Sequence, residues 1–388
     1  MQSALIIGVT GQDGSIMTKY LLKNTDLIIY GGVRRLSVGN HYNIKDIKSD
    51  RFRLIDYDAS DSISIENAIR KLKPDYVVNF AANSFVGNSW DMPFNHFQVN
   101  TISVIYLLEA IRKFSPETRF YQASSSEMFG DISYSPQDEN HPLKPCSPYG
   151  VSKCASHLYV KMYRESYGIY AVNGVCFNHG SPVRGKEFVE RKISLAMADF
   201  YDKLSKNKYS DIKPLKLGNI YSERDWSHAE DIIDGIWRML NQDVYNENIS
   251  SKIKEKIKID NIMRVVTRQE DLNELIIKNI KDYVVSSGKT CSIKFILEKF
   301  FKMIGVFGYW SGEKLEEKFY ATSFNGKEFS KKIILVEVDE KFYRPLDVQH
   351  LCGDSSKIRK DLGWEPKYNI DLFVKDILDS DIKNYAKE

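Results

Sequence analysis

Four residues between Ser124 and Lys153 have the types and spacing to move protons. Ser125 and Glu127 stand two apart, just after the strand-like run Phe120–Ala123. Tyr149 and Lys153 stand four apart, after Ser147 and Pro148. Ser147 suits a helix N-cap and Pro148 the first helical position, so Tyr149 and Lys153 fall on one face of a helix. An ammonium that close favours the phenolate, lowering a pKa that starts at about 10 and fitting the tyrosine for acid or base work near neutrality. The hydroxyl of Ser125 and the carboxylate of Glu127 can meet this pair across a cleft. Spacing alone is weak, because Tyr209 and Lys213 share it without such surroundings. The elements that position the four residues must decide.

Ala4–Ile7 reads as a short buried strand, followed by the turn Gly8-Val9-Thr10-Gly11-Gln12-Asp13-Gly14 and an apolar-periodic helix through Leu22. Glycines there let the backbone approach a pyrophosphate at a helix N-terminus. A second strand, Leu27–Val33, ends in Arg34 and Arg35. An acidic residue near this point would bind a ribose diol, whereas arginines suit the 2′-phosphate of NADP. Leu54–Asp58 reads as a third strand that brings Asp58 and Ala59 to the adenine. Tyr76–Ala81 reads as a fourth and runs into Ala82 and Ser84. Alternating strand and helix signals up to Lys153 argue for an α/β fold with a doubly wound parallel sheet.

Composition narrows the class. Hydrophobic residues make up 43% and charged residues 28%, as in ordinary globular proteins. A net charge of +3 gives no nucleic-acid footprint. Five unclustered cysteines favour reduced thiols in a cytoplasmic compartment. No signal peptide or membrane span is expected from the apolar runs. Seven scattered histidines support no metal site.

The runs Gly8–Ser15, Phe120–Gly130, Ser147–Lys153, Val172–Pro182, Phe188–Ile193, Arg224–Asp231 and Tyr343–Pro345, with Gly353 and Asp354, occur in one order over most of the chain. In them the sequence resembles the extended short-chain dehydrogenase/reductases and, within these, the GDP-mannose 4,6-dehydratases. The resemblance implies a Rossmann-type sheet with a smaller, interleaved C-terminal substrate domain. The expected division is 1–176 with 213–243 for NADP, 177–212 and 283–388 for the nucleotide-sugar, and 244–282 as an insertion. It implies a cofactor site of Gly8, Thr10, Gly11, Gln12, Asp13, Gly14, Arg34, Arg35, Asp58, Ala59, Ala81, Ala82, Ser84, Tyr149, Lys153, His179 and Arg184. GDP-mannose would meet Ser84, Asn178, Lys192, Gly218, Arg224 and Arg344. In the implied reaction Tyr149 takes the 4-hydroxyl proton while hydride passes from C4 to NADP. Glu127 then removes the C5 proton, water leaves C6, and hydride returns there. Ser125 shares the Tyr149 proton and Lys153 holds the nicotinamide ribose. Trp226 and Trp237 are expected to pack rather than bind.

A 4-epimerase on the same fold, or a nucleotide-sugar dehydratase with another substrate, is the near alternative; a non-catalytic NADP sensor is the distant one. Epimerisation needs no base at C5, which sets Glu127 against it, and a sensor would be expected to lose the tyrosine–lysine pair. The chain also departs from the family pattern. Ser125 stands for its threonine, Gly180 for the glutamate of Asn-His-Glu-Ser-Pro, and Asp347 for a glutamate. The serine-rich loop of relatives that form tetramers reads Leu36-Ser-Val-Gly-Asn-His41, so a homodimer is expected before a homotetramer. The inserted residues 246–281 are expected as a surface excursion, with Lys252, Lys254, Lys256 and Lys258 on a solvated face.

Overall fold

A computed structural model describes residues 1–37, 39–263, 268–343, 348 and 350–386. Arg344 and Asp347 therefore lie outside the described residues. The largest sheet contains β1 (Ser3–Ile7), β2 (Ile28–Val33), β3 (Phe52–Asp56), β4 (Tyr76–Asn79), β5 (Arg119–Ser125) and β6 (Ala171–Cys176). Their order is 3-2-1-4-5-6, with the strand Tyr283–Val285 outside β6, and every pairing is parallel.

A parallel strand is buried on both faces, and β1 illustrates why this sequence forms one. Ala4 and Ile6 pack into a core with Met17 and Leu21 of helix Gln12–Asn24 and Ile232, Ile236 and Met239 of helix Ala229–Leu240. Leu5 and Ile7 point the other way, among Ile65, Ile69, Leu107, Leu108, Ile111 and Val160. Those residues come from helices Ser62–Leu72, Ser103–Phe114 and Pro148–Tyr167. Each such apolar side chain contributes about 1.5–3 kcal/mol on burial. The doubly wound expectation is met.

Two smaller sheets build the other half. In one, Glu223–His228 pairs in parallel with Asn178–Gly180 and His350–Leu351 and antiparallel with Thr290–Ser292. The other runs Val306–Ser311, Lys318–Phe324, Lys327–Val338, Leu215–Leu217. Their core includes Leu217, Phe300, Phe319, Leu335 and Phe373. Buried Asp225 ties this half to the large sheet, accepting from Ser287 N at 2.8 Å, Ser287 Oγ at 2.6 Å and Gly288 N at 2.8 Å.

Three expected boundaries need correction. Tyr283–Val285 extends the large sheet instead of opening the substrate unit. Ile358, Leu362 and Trp364 likewise pack against the large sheet's core. Leu215 and Leu217 pack in the smaller half, so of the stretch 213–243 it is the helix Ala229–Leu240 that returns to the large sheet. The inserted stretch is not wholly a surface excursion. Its lysines at 252, 254, 256 and 258 are exposed, yet Ile276 and Ile280 join the same core as Trp364, and Ile249 is buried. Ile249, Ile253, Ile276 and Ile277 anchor a pair of helices whose lysine face is exposed.

Candidate active site

The helix carrying Tyr149 and Lys153 starts as its residues dictate. Ser147 Oγ accepts from Gly150 N at 3.0 Å, and Pro148 occupies the first turn. A Cβ at Gly150 would stand 2.7 Å from Glu127 O, so glycine there lets the helix press against the loop that holds Glu127. On that loop Ser125 Oγ accepts from Glu127 N at 3.3 Å. The π-helical stretch Gln98–Ile102 turns buried Asn100 towards the same helix, where it donates to Ser152 Oγ at 3.0 Å and accepts from Asn83 N at 2.8 Å.

Tyr149 and Lys153 are buried together, with the ammonium 5.9 Å from the tyrosine ring centroid. Lys153 Nζ donates to Ala123 O at 2.9 Å. Burial pushes the Tyr149 hydroxyl up to about 12, although a hydrogen bond with Ser125 pulls it down. Burial also pushes Lys153 down to about 8. The lowered tyrosine pKa expected from the spacing is thus corrected. The lysine is directed at a backbone carbonyl, and desolvation of the phenolate outweighs the Ser125 bond and the Arg184 charge that favour it. Ser125 is the neighbouring hydroxyl that favours loss of the Tyr149 proton.

The glycine turn lies at the carboxyl end of β1. Gly8 has φ +83°, and a Cβ there would meet Ala81 N at 2.9 Å. Gly14 approaches Gly8 O so closely that a Cβ would stand 2.3 Å from it. Side chains are excluded from this turn, which leaves bare backbone beside a helix start, a shape that fits a dinucleotide diphosphate. Thr10 O accepts from Asn43 Nδ2, which also donates to Val183 O, clasping the turn to the opposite wall. Arg34 and Arg35 follow β2 directly and are exposed. Asp58 accepts from Ser60 Oγ at 2.6 Å, a bond that with the Arg34 charge holds its carboxyl below the usual range.

A cavity of about 560 Å³ opens beyond the ends of β4, β5 and β6. It collects Asp13, Ala82, Ser84, Ser125, Glu127, Tyr149, Lys153, Asn178, His179, Arg184, Lys192, Gly218 and Arg224 from the expected site. Gly8, Thr10, Gly11, Gln12, Gly14, Arg34, Arg35, Asp58, Ala59 and Ala81 stand outside its lining, at or after the carboxyl ends of β1 to β4. His179 faces Phe177 O at 2.8 Å and Asp13 at 3.2 Å. Burial raises the Asp13 carboxyl, but His179 and Arg184 prevail and hold it at about 2. Lys192 Nζ donates to Lys216 O at 2.6 Å and lies 3.8 Å from the Phe342 ring centroid. A Cβ at Gly218 would meet Phe342 O at 2.4 Å, so glycine permits that crossing. Trp226 packs in the smaller core and donates to Cys291 O at 3.2 Å but also lines the cavity, so the expectation of packing alone holds only for Trp237, 5.1 Å from Tyr76.

The cavity also contains residues the sequence reading passed over, among them Phe85, Trp90, Phe188 and Glu190. Glu190 carried a readable signal. It begins the stripe Glu190, Ile193, Met197, Phe200, Leu204, all buried on helix Val189–Ser205, so its carboxylate lies on the inward face.

The family described as GDP-mannose 4,6 dehydratase matches residues 5–274 and 269–377. A protein described as GDP-mannose 4,6 dehydratase from Drosophila melanogaster is 34% identical over 99% of this chain and 87% of its own length. A GDP-mannose 4,6-dehydratase from Vibrio cholerae is also 34% identical, over 98% of this chain and 94% of its own. Among solved structures, a dTDP-glucose 4,6-dehydratase from Bacillus anthracis in complex with NAD superposes with a TM-score of 0.70 at 19% identity, covering 100% and 98% of the two chains. A UDP-glucose 4-epimerase from Thermotoga maritima with UDP-glucose superposes at 0.71 and 16% identity, covering 100% of both. The structural likenesses establish the fold.

Proposed function

This chain belongs to the GDP-mannose 4,6-dehydratase family, and from that premise we propose that it is an NADP-dependent lyase converting GDP-mannose to GDP-4-keto-6-deoxy-mannose. The observation that carries this reading is the presence of Ser125, Glu127, Tyr149 and Lys153 in one cavity. NADP, held by the glycine turn Gly8–Gly14 with Arg34, Arg35 and Lys153, would supply the hydride acceptor for C4 of the sugar and the hydride donor for C6. The chain's residues handle the protons. Tyr149, hydrogen-bonded to Ser125, exchanges the proton of the 4-oxygen through that serine. Glu127 takes the C5 proton once the 4-ketone has acidified it and passes it to the C6 hydroxyl, which leaves as water; C5 regains a proton from solvent as hydride reaches C6. Lys153 is held at Ala123 O, next to the tyrosine, to bind the nicotinamide ribose. Arg34 and Arg35 are the basis for NADP over NAD. Lys192 and Arg224, with Arg344 from the sequence, supply cations for the nucleotide diphosphate.

A 4-epimerase is the second reading because the fold serves both activities among solved structures. Incubation with GDP-mannose and NADP, followed by mass spectrometry, separates them: loss of one water supports dehydration, and an isomer of unchanged mass overturns it.

Val151, Leu158, Tyr159 and Met162 on helix Pro148–Tyr167 and Tyr106 on helix Ser103–Phe114 are exposed. This apolar face supports a homodimer, which sedimentation velocity checks. We assign a reducing cytoplasm on the odd number and scattered spacing of the cysteines. Among the described residues no helix is long and apolar enough to cross a membrane.

A further inference from the structure

Glu190 has no role in the proton steps above, yet its carboxylate is enclosed at the cavity wall. It is 3% exposed, and its Oε1 lies 3.2 Å from Arg184 Nε, an ion pair whose angle makes no hydrogen bond at that nitrogen. The Arg184 guanidinium also lies over the Phe188 ring, 3.7 Å from its centroid. Its charge reaches both Asp13 of the glycine turn and Tyr149 of the catalytic helix. A guanidinium in such a place needs an anion to fix it, because a partly desolvated cation without one is costly.

The room for that anion is made by Gly180 across the wall. A Cβ at Gly180 would stand 3.0 Å from Glu190 Cγ, 3.1 Å from Glu190 Oε1 and 3.2 Å from Phe373 Cε2. The Glu190 side chain therefore occupies the space into which a residue at 180 would point. Position 180 is where the family resemblance leads one to expect glutamate, and here it is glycine. Glu190 also lies in the first turn of its helix, where a negative charge is favoured.

We propose that Glu190 is the positioning residue for Arg184 in the dinucleotide site, and that the acid absent at Gly180 has been relocated to it. Gly180 and Glu190 then act as a pair: the missing side chain at one provides the room for the other. This inference rests on the cofactor part of the proposed function, not on the identity of the sugar.

The test is a fluorescence titration of NADPH and of NADH in the absence of any sugar nucleotide. Glu190→Gln and Glu190→Ala should weaken the better-bound dinucleotide about tenfold, while Gly180→Glu combined with Glu190→Ala should return within about threefold of wild type. In an Arg184→Ala background, Glu190→Gln should change affinity by less than about twofold, because its effect passes through that arginine. Wild-type affinity in both Glu190 single variants overturns the proposal. So does a combined variant no better than Glu190→Ala, or an undiminished cost without Arg184. Circular dichroism selects folded variants; if the alanine changes at 190 do not fold, the cycle of Glu190→Gln with Arg184→Ala decides. A protein that passes these titrations but does not dehydrate GDP-mannose refutes the sugar assignment and leaves the positioning role standing.

Discussion

Lys153 and Arg34 are both cations at the carboxyl edge of one sheet, and the protein treats them oppositely. Lys153 is buried, bonded to Ala123 O and pushed down to about 8 by loss of water. Arg34 is exposed in the segment after β2. A buried group is fixed in place and sensitive to its proton, which suits a reacting centre. An exposed guanidinium keeps its charge, and its attraction is screened by salt, which suits selection among soluble ligands. The two ends of the cleft should therefore fail differently when altered.

The largest effect is expected at the buried end. Glu127→Gln keeps shape but removes a proton acceptor, so dehydration should fall by about 10²–10⁴-fold. Substrate affinity should hold, and solvent deuterium should enter C5 more slowly. Unchanged dehydration and exchange in a folded variant would remove Glu127 from the mechanism and, with it, the main distinction from an epimerase.

At the exposed end, Arg34→Ala should cost NADP about 1.5–3 kcal/mol, roughly 10- to 100-fold in affinity, and leave NAD almost unaffected. Raising salt should shrink the wild-type preference. Equal losses for both dinucleotides would show that the exposed arginine reads no phosphate, and the contrast between the two ends would collapse.

Lys153→Met sharpens the contrast through stability. At pH 7 the folded protein holds an ammonium out of water, and methionine relieves that cost, so the variant should melt a few degrees higher. Between about pH 8 and 10.5 the folded lysine loses its proton while the unfolded one keeps it, so the wild type gains stability and the gap narrows. A gap independent of pH in thermal scans would mean that burial does not perturb the lysine.

A region belonging to neither end supplies the control. Replacing residues 251–274 with a short Gly/Ser linker, while keeping Ile249, Ile276 and Ile280, should leave turnover within about twofold of wild type. Loss of turnover in a folded variant would bring this segment into the site.

Much of this was legible in the chain. The Ser147 cap, the Pro148 start and the strand–turn–helix around Gly8 rest on local rules, and the structure reproduces them. The continuous apolar run Ala4–Ile7 predicted a buried strand, and the alternation of strand and helix signals up to Lys153 predicted a doubly wound sheet. What local pattern could not give was the balance of forces at Tyr149, because desolvation depends on what three strands and a helix enclose. Nor could it show that Tyr283–Val285 pairs with β6, since three buried residues fit either half equally well. The link between Gly180 and Glu190 crosses from a short strand to a helix, and each residue alone looks unremarkable.

The pairing of Tyr283–Val285 with β6 has a consequence during synthesis. Residues up to 176 leave the ribosome with six strands of the large sheet complete, but the outer edge of β6 has no neighbour until more than a hundred residues later. Trp364, whose Nε1 donates to Asp231 O at 2.9 Å, arrives later still to cover helix Ala229–Leu240. The nascent chain thus carries an open edge and an uncovered apolar helix face, both of which invite pairing with other chains. The dinucleotide half is first in sequence but closes late, and a transcript cut between codons 176 and 283 encodes a sheet with a sticky side.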